Sequence, residues 1–592
     1  MKKIRFILVL IFSLIFYSTN YSQEKFVVNL NHITDDLFHV TLYPENLSRE
    51  NNIYQFAATA PGTYEEMDIG RFVKSFKAFD SAGNEIATNH LSTNQWELSS
   101  PQKIKKIEYL IEDTWDAKID SNNIYYMSGS SIDSNIVLIN GQCVFGYFHG
   151  KQSYPIKIKL EYPPNWSAGT ALKLDDEGFY DAPTYDYIVD SPILLGDLTA
   201  DSVIVGNAKI MVYTYSKTGL IKSSELLSSV KDILQAESRF TDGLPVDHYS
   251  FLFYLGETDA GAWEHSYSSE YVIREEPLTK PVIGNLRAMI AHEFFHIVTP
   301  LNIHSELVAK FNFIKPVMSK HLWLYEGVTE WAANILQFRD SLISLNNYLD
   351  ILHRKIMFMQ GFDKNISLTE LGVHSVELKN QYINIYNKGA VIAGLLDIRL
   401  LELSSGTKGL REVINELAKK YGPDKPFSED NFFDEFVKMT YPEIKDFIED
   451  YIEGTKELPI KGYYKKLGID YYESKGFDSS RTSLGMALGI QNNHFTIVSI
   501  NENSLNKKEL SPGDIIYSLD GEELTFQNVR DKLREYQSKN VGDTVKAVVI
   551  RNNNKISLNL ILGPVEKKYV FEINSNPSPD QIKLRKAWME NM

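Results

Sequence analysis

Between residues 25 and 208, apolar and polar side chains alternate over short runs such as Phe26-Val27-Val28-Asn29-Leu30 and Phe38-His39-Val40-Thr41-Leu42. A period of two puts every second side chain on one face, so these runs predict half-buried strands. Clusters with turn chemistry separate them, among them Pro61-Gly62-Thr63 and Ser81-Ala82-Gly83-Asn84. A β-sandwich-like domain is therefore expected over 23–208. From about residue 209 to 454 the period becomes helical, with long runs over 285–298 and 390–403. This predicts a mostly helical domain over 209–475. Short strands return over about 479–565, and a polar, charged tail is expected over 566–592. The sequence carries no internal repeat and no low-complexity tract.

The first 22 residues follow another pattern. Lys2, Lys3 and Arg5 form a basic start, residues 6–17 are almost unbroken apolar, and small and polar residues follow from Ser18 to Gln23. This predicts a bacterial-type secretory signal peptide, too short to favour a membrane span. An uncleaved anchor is the competing reading. No cysteine stands at the expected cut near Ser22, so a lipoprotein anchor is not expected. The mature protein is expected in the periplasm or outside the cell, with no membrane span of its own.

Composition narrows the classes further. Hydrophobic residues at 43% and charged residues at 23% are globular values, which excludes wholesale disorder. At ~150 residues per domain, 592 residues suggest about four domains. With Lys+Arg 61 against Asp+Glu 77, the net charge of −16 is the wrong sign for a nucleic-acid binder that works by neutralising phosphates. The single cysteine, Cys143, excludes an intrachain disulfide framework and a cysteine-ligated zinc finger.

The chemistry concentrates in the middle region. Ala291-His292-Glu293-Phe294-Phe295-His296 contains HExxH. On a helix of ~3.6 residues per turn, His292 and His296 lie one above the other with Glu293 beside them. Two imidazoles so placed can share a zinc ion, and the glutamate can take a proton from an attacking water. The bland alternative is an amphipathic core helix with two half-buried histidines. Pro300 requires that helix to stop just after the motif. Downstream, Leu322-Trp323-Leu324-Tyr325-Glu326-Gly327-Val328-Thr329-Glu330 sets two carboxylates four residues apart at a second helix start. We assign Glu326 to the metal and Glu330 to a hydrogen bond with a ligand histidine. Two solvated carboxylates at a helix N-terminus would read the same way. Two histidines and one glutamate with an open fourth position form a hydrolytic zinc site.

Two further stretches gain meaning beside that site. Glu264, in Gly261-Ala262-Trp263-Glu264-His265, offers a carboxylate that can pair with a free substrate amine. Tyr386, in Tyr386-Asn387-Lys388-Gly389-Ala390, opens a helix where its hydroxyl can donate to an oxyanion. Out of context, a surface carboxylate and a packing aromatic describe them equally well.

The ordered set GAWEH, HEFFH, LWLYEG and YNKGA resembles the glycyl aminopeptidase family of gluzincin zinc metallopeptidases, and more distantly the aminopeptidase N-like enzymes. Pro61-Gly62-Thr63-Tyr64, Asp68-Ile69-Gly70-Arg71-Phe72 and Trp96 are similar to that family's N-terminal β domain. Leu510-Ser511-Pro512-Gly513-Asp514-Ile515-Ile516 with Asp520-Gly521 looks like a PDZ domain. The resemblance implies a multidomain α+β chain: a β-sandwich-like domain, a mostly helical thermolysin-like catalytic domain and a C-terminal PDZ domain. It implies one zinc per chain on His292, His296 and Glu326, with Glu293 as general base and acid and Tyr386 on the oxyanion. It also implies that Gly261, Ala262, Trp263 and Glu264 form the substrate-binding segment, with Glu264 holding the substrate's amino terminus.

The chain departs from the family in three places. The 30 residues from His296 to Glu326 are more than the aminopeptidase N-like relatives use. GAWEH stands where GGLEH is commoner, and Trp263 is expected to narrow the S1 pocket. Ile297-Val298-Thr299-Pro300 replaces a segment that usually carries tryptophan and basic residues. The expected function is an exported zinc aminopeptidase that removes N-terminal residues, small ones such as Gly or Ala by resemblance, from short peptides. An endopeptidase of the same fold and a catalytically silent peptide-binding scaffold are the alternatives. The PDZ-like segment is expected either to bind a peptide by strand addition beside Leu484-Gly485-Met486 or to dock structurally.

Overall fold

The computed structural model of the chain describes residues 23–31, 35–119, 122–491 and 494–592. The expected signal peptide at 1–22 lies outside the described residues. The chain divides into two compact units, one comprising residues 1–348, 362–457 and 589–592, the other residues 349–361 and 458–588.

In the first unit the alternating segments form strands as expected. β1 (Glu24–Asn29), β2 (Leu37–Tyr43), β3 (Val73–Phe79), β4 (Lys106–Glu112) and β5 (Ile156–Glu161) are the centre of an eight-stranded sheet, in the order β5-β1-β2-β4-β3. The β1–β5 pairing is parallel and the others are antiparallel. Along β4 every second residue is buried, so Ile107, Tyr109 and Ile111 face one core. Two four-stranded sheets contribute Tyr54, Trp96 and Ile139 to the same core.

The next sheet departs from the expected division. β6 (Thr199–Val205), β7 (Ala208–Ser216), β8 (His248–Gly256), β9 (Gly261–Glu264) and β10 (Ser268–Arg274) form five strands in the order β6-β7-β8-β10-β9. The expected boundary at 208/209 falls inside β7, which pairs with β6 on one side and runs parallel to β8 on the other. The helical regime begins only at α1 (Ser223–Phe240), followed by α2 (Lys280–Phe295), α3 (Thr329–Arg339) and α4 (Asn384–Leu403). α2 starts five residues earlier than the apolar run, because Pro281 is pre-set for a helical first turn.

One buried ion pair ties the last two of these helices together. Arg339, at the end of α3, donates to Asp397 of α4 at 2.6 Å, and both side chains are wholly buried. The other Asp397 oxygen accepts the Leu410 N–H at 2.8 Å.

The second unit contains β12 (Met486–Gln491), β13 (His494–Ile500), β14 (Ile515–Leu519), β15 (Thr544–Arg551) and β16 (Asn554–Ile561), adjacent in that order in one sheet. Its core gathers Ile497, Leu519, Val545, Val549 and Leu560. A long antiparallel ribbon of β11 (Ile469–Ser483) and β17 (Gly563–Ile573) flanks them in sequence. The polar tail expected from 566 is therefore not irregular. It continues through β17 into a helix, α5 (Pro579–Glu590), which buries Trp588 against Tyr464. One apolar anchor fixes that helix, too little to register in a hydropathy pattern. Among the described residues no helix is long and apolar enough to cross a membrane.

Candidate active site

The site is built where α2 ends. His292 and His296 stand one helical turn apart, with ring centroids 4.8 Å from each other. His296 is the C-cap of α2, and its Nδ1 donates to the Thr299 carbonyl at 2.9 Å. That bond makes Nδ1 the protonated nitrogen and turns the lone pair of Nε2 inward.

Glu326 enters from a π-helical turn at Trp323–Val328, which runs directly into α3. Such turns widen the backbone locally and re-aim a side chain, and they recur at functional sites. The Glu326 carboxylate is 3% exposed and lies 3.4 Å from His292 Nε2 and 3.7 Å from His296 Nε2. Glu330, one turn further on, accepts from His292 Nδ1 at 2.8 Å. Both histidines thus spend Nδ1 on a fixing bond and present Nε2 to Glu326. A tetrahedral metal with ligands at ~2.0–2.1 Å has ligand atoms about 3.3–3.4 Å apart. The three donor atoms, mutually within 4.8 Å, fit one such ion. The structure thus brings Glu326 to the two Nε2 atoms and Glu330 to His292 Nδ1.

Electrostatics separates the roles of these groups. Burial would raise the Glu326 carboxyl, but His292 and His296 beside it hold it below the usual value. Burial lowers His296 to about 4, keeping it the neutral imidazole that a metal needs. Glu293 is raised to about 7 by burial, with Glu326 and Glu330 adding to the shift and His292 opposing it. A carboxylate near neutrality suits a group that must both take and return a proton.

Two elements close the site from opposite sides. Tyr386 sits in the first turn of α4, with its ring 5.6 Å from His292 and its hydroxyl 3.1 Å from that of Tyr382. It is within hydrogen-bonding reach of Glu326. On the other side β9 pairs through Glu264 with Ser269 and is the outermost strand of its sheet. Its free edge can hydrogen-bond an extended peptide. Carboxylate oxygens of Glu264 and Glu293 and a ring nitrogen of His296 lie within 4.8 Å of one another. Burial, then Glu326 and Glu293, push the Glu264 carboxyl well above its usual range.

A cavity of about 350 Å³ joins these groups, lined by Glu264, His292, Glu293, His296, Glu326 and Tyr386. Glu330, Ala262 and Trp263 line it too, whereas Gly261 does not. Trp263 is only 4% exposed, and its ring belongs to the core of the β domain and forms a wall of the cleft. A larger cavity of about 1020 Å³ lies across that wall and shares Gly62, Trp263 and Glu264 with the first. Gly62, at φ +76°, makes the partition thin. A Cβ there would sit 2.7 Å from Trp263 Nε1 and 3.0 Å from Glu264 Oε1.

Sequence reasoning missed several lining groups. Tyr382 stands one turn before Tyr386, a spacing that could have flagged it. Tyr125, Met127 and Ser128 reach the cavity from the β domain, with no motif to signal them. Glu237 of α1 is wholly buried, feels His292, and has no hydrogen-bond partner for either oxygen among the described residues.

The chain matches the Peptidase M61 N-terminal domain over residues 25–197, the M61 glycyl aminopeptidase domain over 285–392 and a PDZ domain over 482–562. The peptidase match contains the HExxH helix, Glu326, Glu330 and Tyr386. Among solved structures, an aminopeptidase N family protein from Idiomarina loihiensis is similar with a TM-score of 0.77 at 21% identity, over 95% of this chain and 99% of that one. Native leukotriene A4 hydrolase from Saccharomyces cerevisiae is similar with a TM-score of 0.46 at 14% identity, over 75% of this chain and 70% of that one. No curated protein matches the sequence. The three matches follow the expected order along the chain, the M61 N-terminal domain first, the M61 glycyl aminopeptidase domain next and a PDZ domain last, and they support a peptidase.

Proposed function

We propose that the protein is an exported zinc aminopeptidase that removes single residues from the free amino end of short peptides. The observation that carries this reading is the convergence of His292, His296 and Glu326 with Glu293, Tyr386 and Glu264 on one cavity. The two Nε2 atoms and the Glu326 carboxylate would hold one zinc per chain, which would supply Lewis acidity toward a water and a substrate carbonyl. Glu293 takes the proton of the attacking water and returns it to the departing amine. The Tyr386 hydroxyl donates to the oxyanion as it forms. Glu264 pairs with the substrate's ammonium, and the β9 edge aligns the peptide backbone. Gly and Ala at the first position remain the preferred residues by family resemblance.

A second reading has one observation in its favour. The 1020 Å³ cavity beyond Glu264 gives a chain room to continue past the ammonium position, as an endopeptidase would need. In the second unit, β12 is the outermost strand of its sheet and offers an edge for a peptide or a protein C-terminus. Export rests on the basic start and apolar run before residue 22.

The reading is tested by metal analysis with Glu293→Gln. The expected result is one zinc per chain in both proteins and activity only in the unsubstituted enzyme, lower in the variant by at least ~10²-fold. A metal-free, inactive protein would favour the scaffold alternative.

A further inference from the structure

A second cluster of metal-ligating side chains stands in the β domain, and the peptidase chemistry uses none of it. β2 and β4 pair antiparallel with Leu37 opposite Glu112. Asp36 and Asp113 are the residues next to that pair, where the ladder ends, and Asp36 turns out of the strand at φ +60°. Asp116, from the segment after β4, completes the group, and one carboxylate oxygen from each of the three lies within 4.8 Å of the others.

The neighbouring charges are already paired. Asp35 meets His39 at 2.7 Å and Glu112 meets Lys74 at 2.6 Å. Among the described residues, Asp36, Asp113 and Asp116 have no such ion pair. The groups that act most strongly on Asp36 and Asp113 include no cation, and Asp116 lies within hydrogen-bonding reach of both. Asp113 is 1% exposed. Its Oδ2 accepts the Ile132 N–H at 2.9 Å, while Oδ1 is buried with no hydrogen-bond partner among the described residues. A buried carboxylate oxygen without a donor, grouped with further acceptors, is destabilised unless a proton or a cation joins them.

We propose that Asp36, Asp113 and Asp116 form a calcium-binding site. All donors are hard carboxylate oxygens, and a Ca²⁺ ion with ligands at ~2.3–2.6 Å spans oxygens so separated. Asp116 is exposed and Asp36 half-buried, which leaves water access to the remaining coordination positions. The site would also stiffen one wall of the catalytic cavity. The segment that starts at Asp113 and Asp116 runs on to Tyr125, Met127 and Ser128, which line that cavity. Trp115 ties its two ends together by donating from Nε1 to the Tyr126 carbonyl at 2.8 Å.

The test uses the zinc-loaded full-length mature chain, with Ca²⁺ alone and with Tb³⁺ as a luminescent substitute. Trp115 is adjacent to Asp116 and serves as the antenna. Expected results are Tb³⁺ emission on indole excitation, displacement of that emission by Ca²⁺, and a higher melting temperature with Ca²⁺ than with equal Mg²⁺. Asp113→Asn should abolish all three. Asp116→Asn, at an exposed position that folding does not depend on, should weaken Ca²⁺ binding about tenfold or more. Unchanged melting with Ca²⁺ would overturn the proposal, as would an equal response to Mg²⁺ or wild-type Tb³⁺ binding in Asp116→Asn.

Discussion

Gly327 and Gly389 pack backbone against backbone, so close that a methyl group on either would sit 2.7 Å from the other's Cα. Gly327 follows Glu326 directly, and Gly389 lies one turn after Tyr386. The contact therefore sets the distance between the proposed metal ligand and the proposed oxyanion donor. Gly389→Ala should force α4 away from the π-helical turn, destabilising the fold by about 1–3 kcal/mol. Denaturant unfolding and kcat would report it together. Loss of kcat well beyond the change in stability is the expected outcome, and unchanged values for both would sink the argument.

Glu330 should act on metal affinity more than on folding. Its bond to His292 Nδ1 fixes the ring that presents Nε2, and Asn334 holds its other oxygen at 3.1 Å. Glu330→Ala is expected to weaken zinc by roughly 10–100-fold. Competition with a chromophoric chelator measures this, and wild-type affinity in the variant would contradict the role.

The Arg339–Asp397 pair joins the helices carrying Glu330 and Tyr386. Removing one partner strands the other as a buried charge, so Arg339→Met should cost about 3–5 kcal/mol. The double variant Arg339→Met with Asp397→Leu should recover most of that loss. A double variant as unstable as the single would mean that the Leu410 N–H bond, and not the ion pair, carries the contribution.

Glu24 predicts a pH dependence in the β domain. It is 2% exposed, and burial raises its carboxyl from 4.5 to about 7, with Lys151 at 3.8 Å only partly opposing. Between those values the folded chain holds a proton that the unfolded chain has lost. The contribution is therefore fully present below the lower value and disappears as pH rises through about 7. Glu24→Gln should melt higher than wild type at about pH 8 and nearly with it at about pH 4. A wild type more stable than the variant at the higher pH would reverse the sign and refute this.

The peptidase centre was legible because its chemistry is local. HExxH needs one helical turn, and Glu326 with Glu330 needs one more. What was hidden depends on pairing across the chain. The alternation in Ala208–Ser216 reads as a strand, yet only its parallel partner His248–Gly256 shows that it opens the catalytic sheet rather than closing the β domain. The π-helical turn at Trp323–Val328 uses residues that an α-helix accepts equally, so no residue choice announces it. Asp113 and Asp116 are visible together in the sequence, but Asp36 joins them only through the β2–β4 register. The size of Trp263 suggested a narrowed pocket, while its packing into the core of the β domain was not legible.

The central claim is that Glu264 makes the metal centre act on free amino ends. The direct measurement compares two alanine-initiated peptides, identical except for a free or an acetylated amine, with Glu293→Gln as the blank. The account predicts cleavage of the free-amine peptide alone, lost in the variant. Equal cleavage of both, also lost in the variant, would keep the metal chemistry and contradict the exopeptidase role of Glu264.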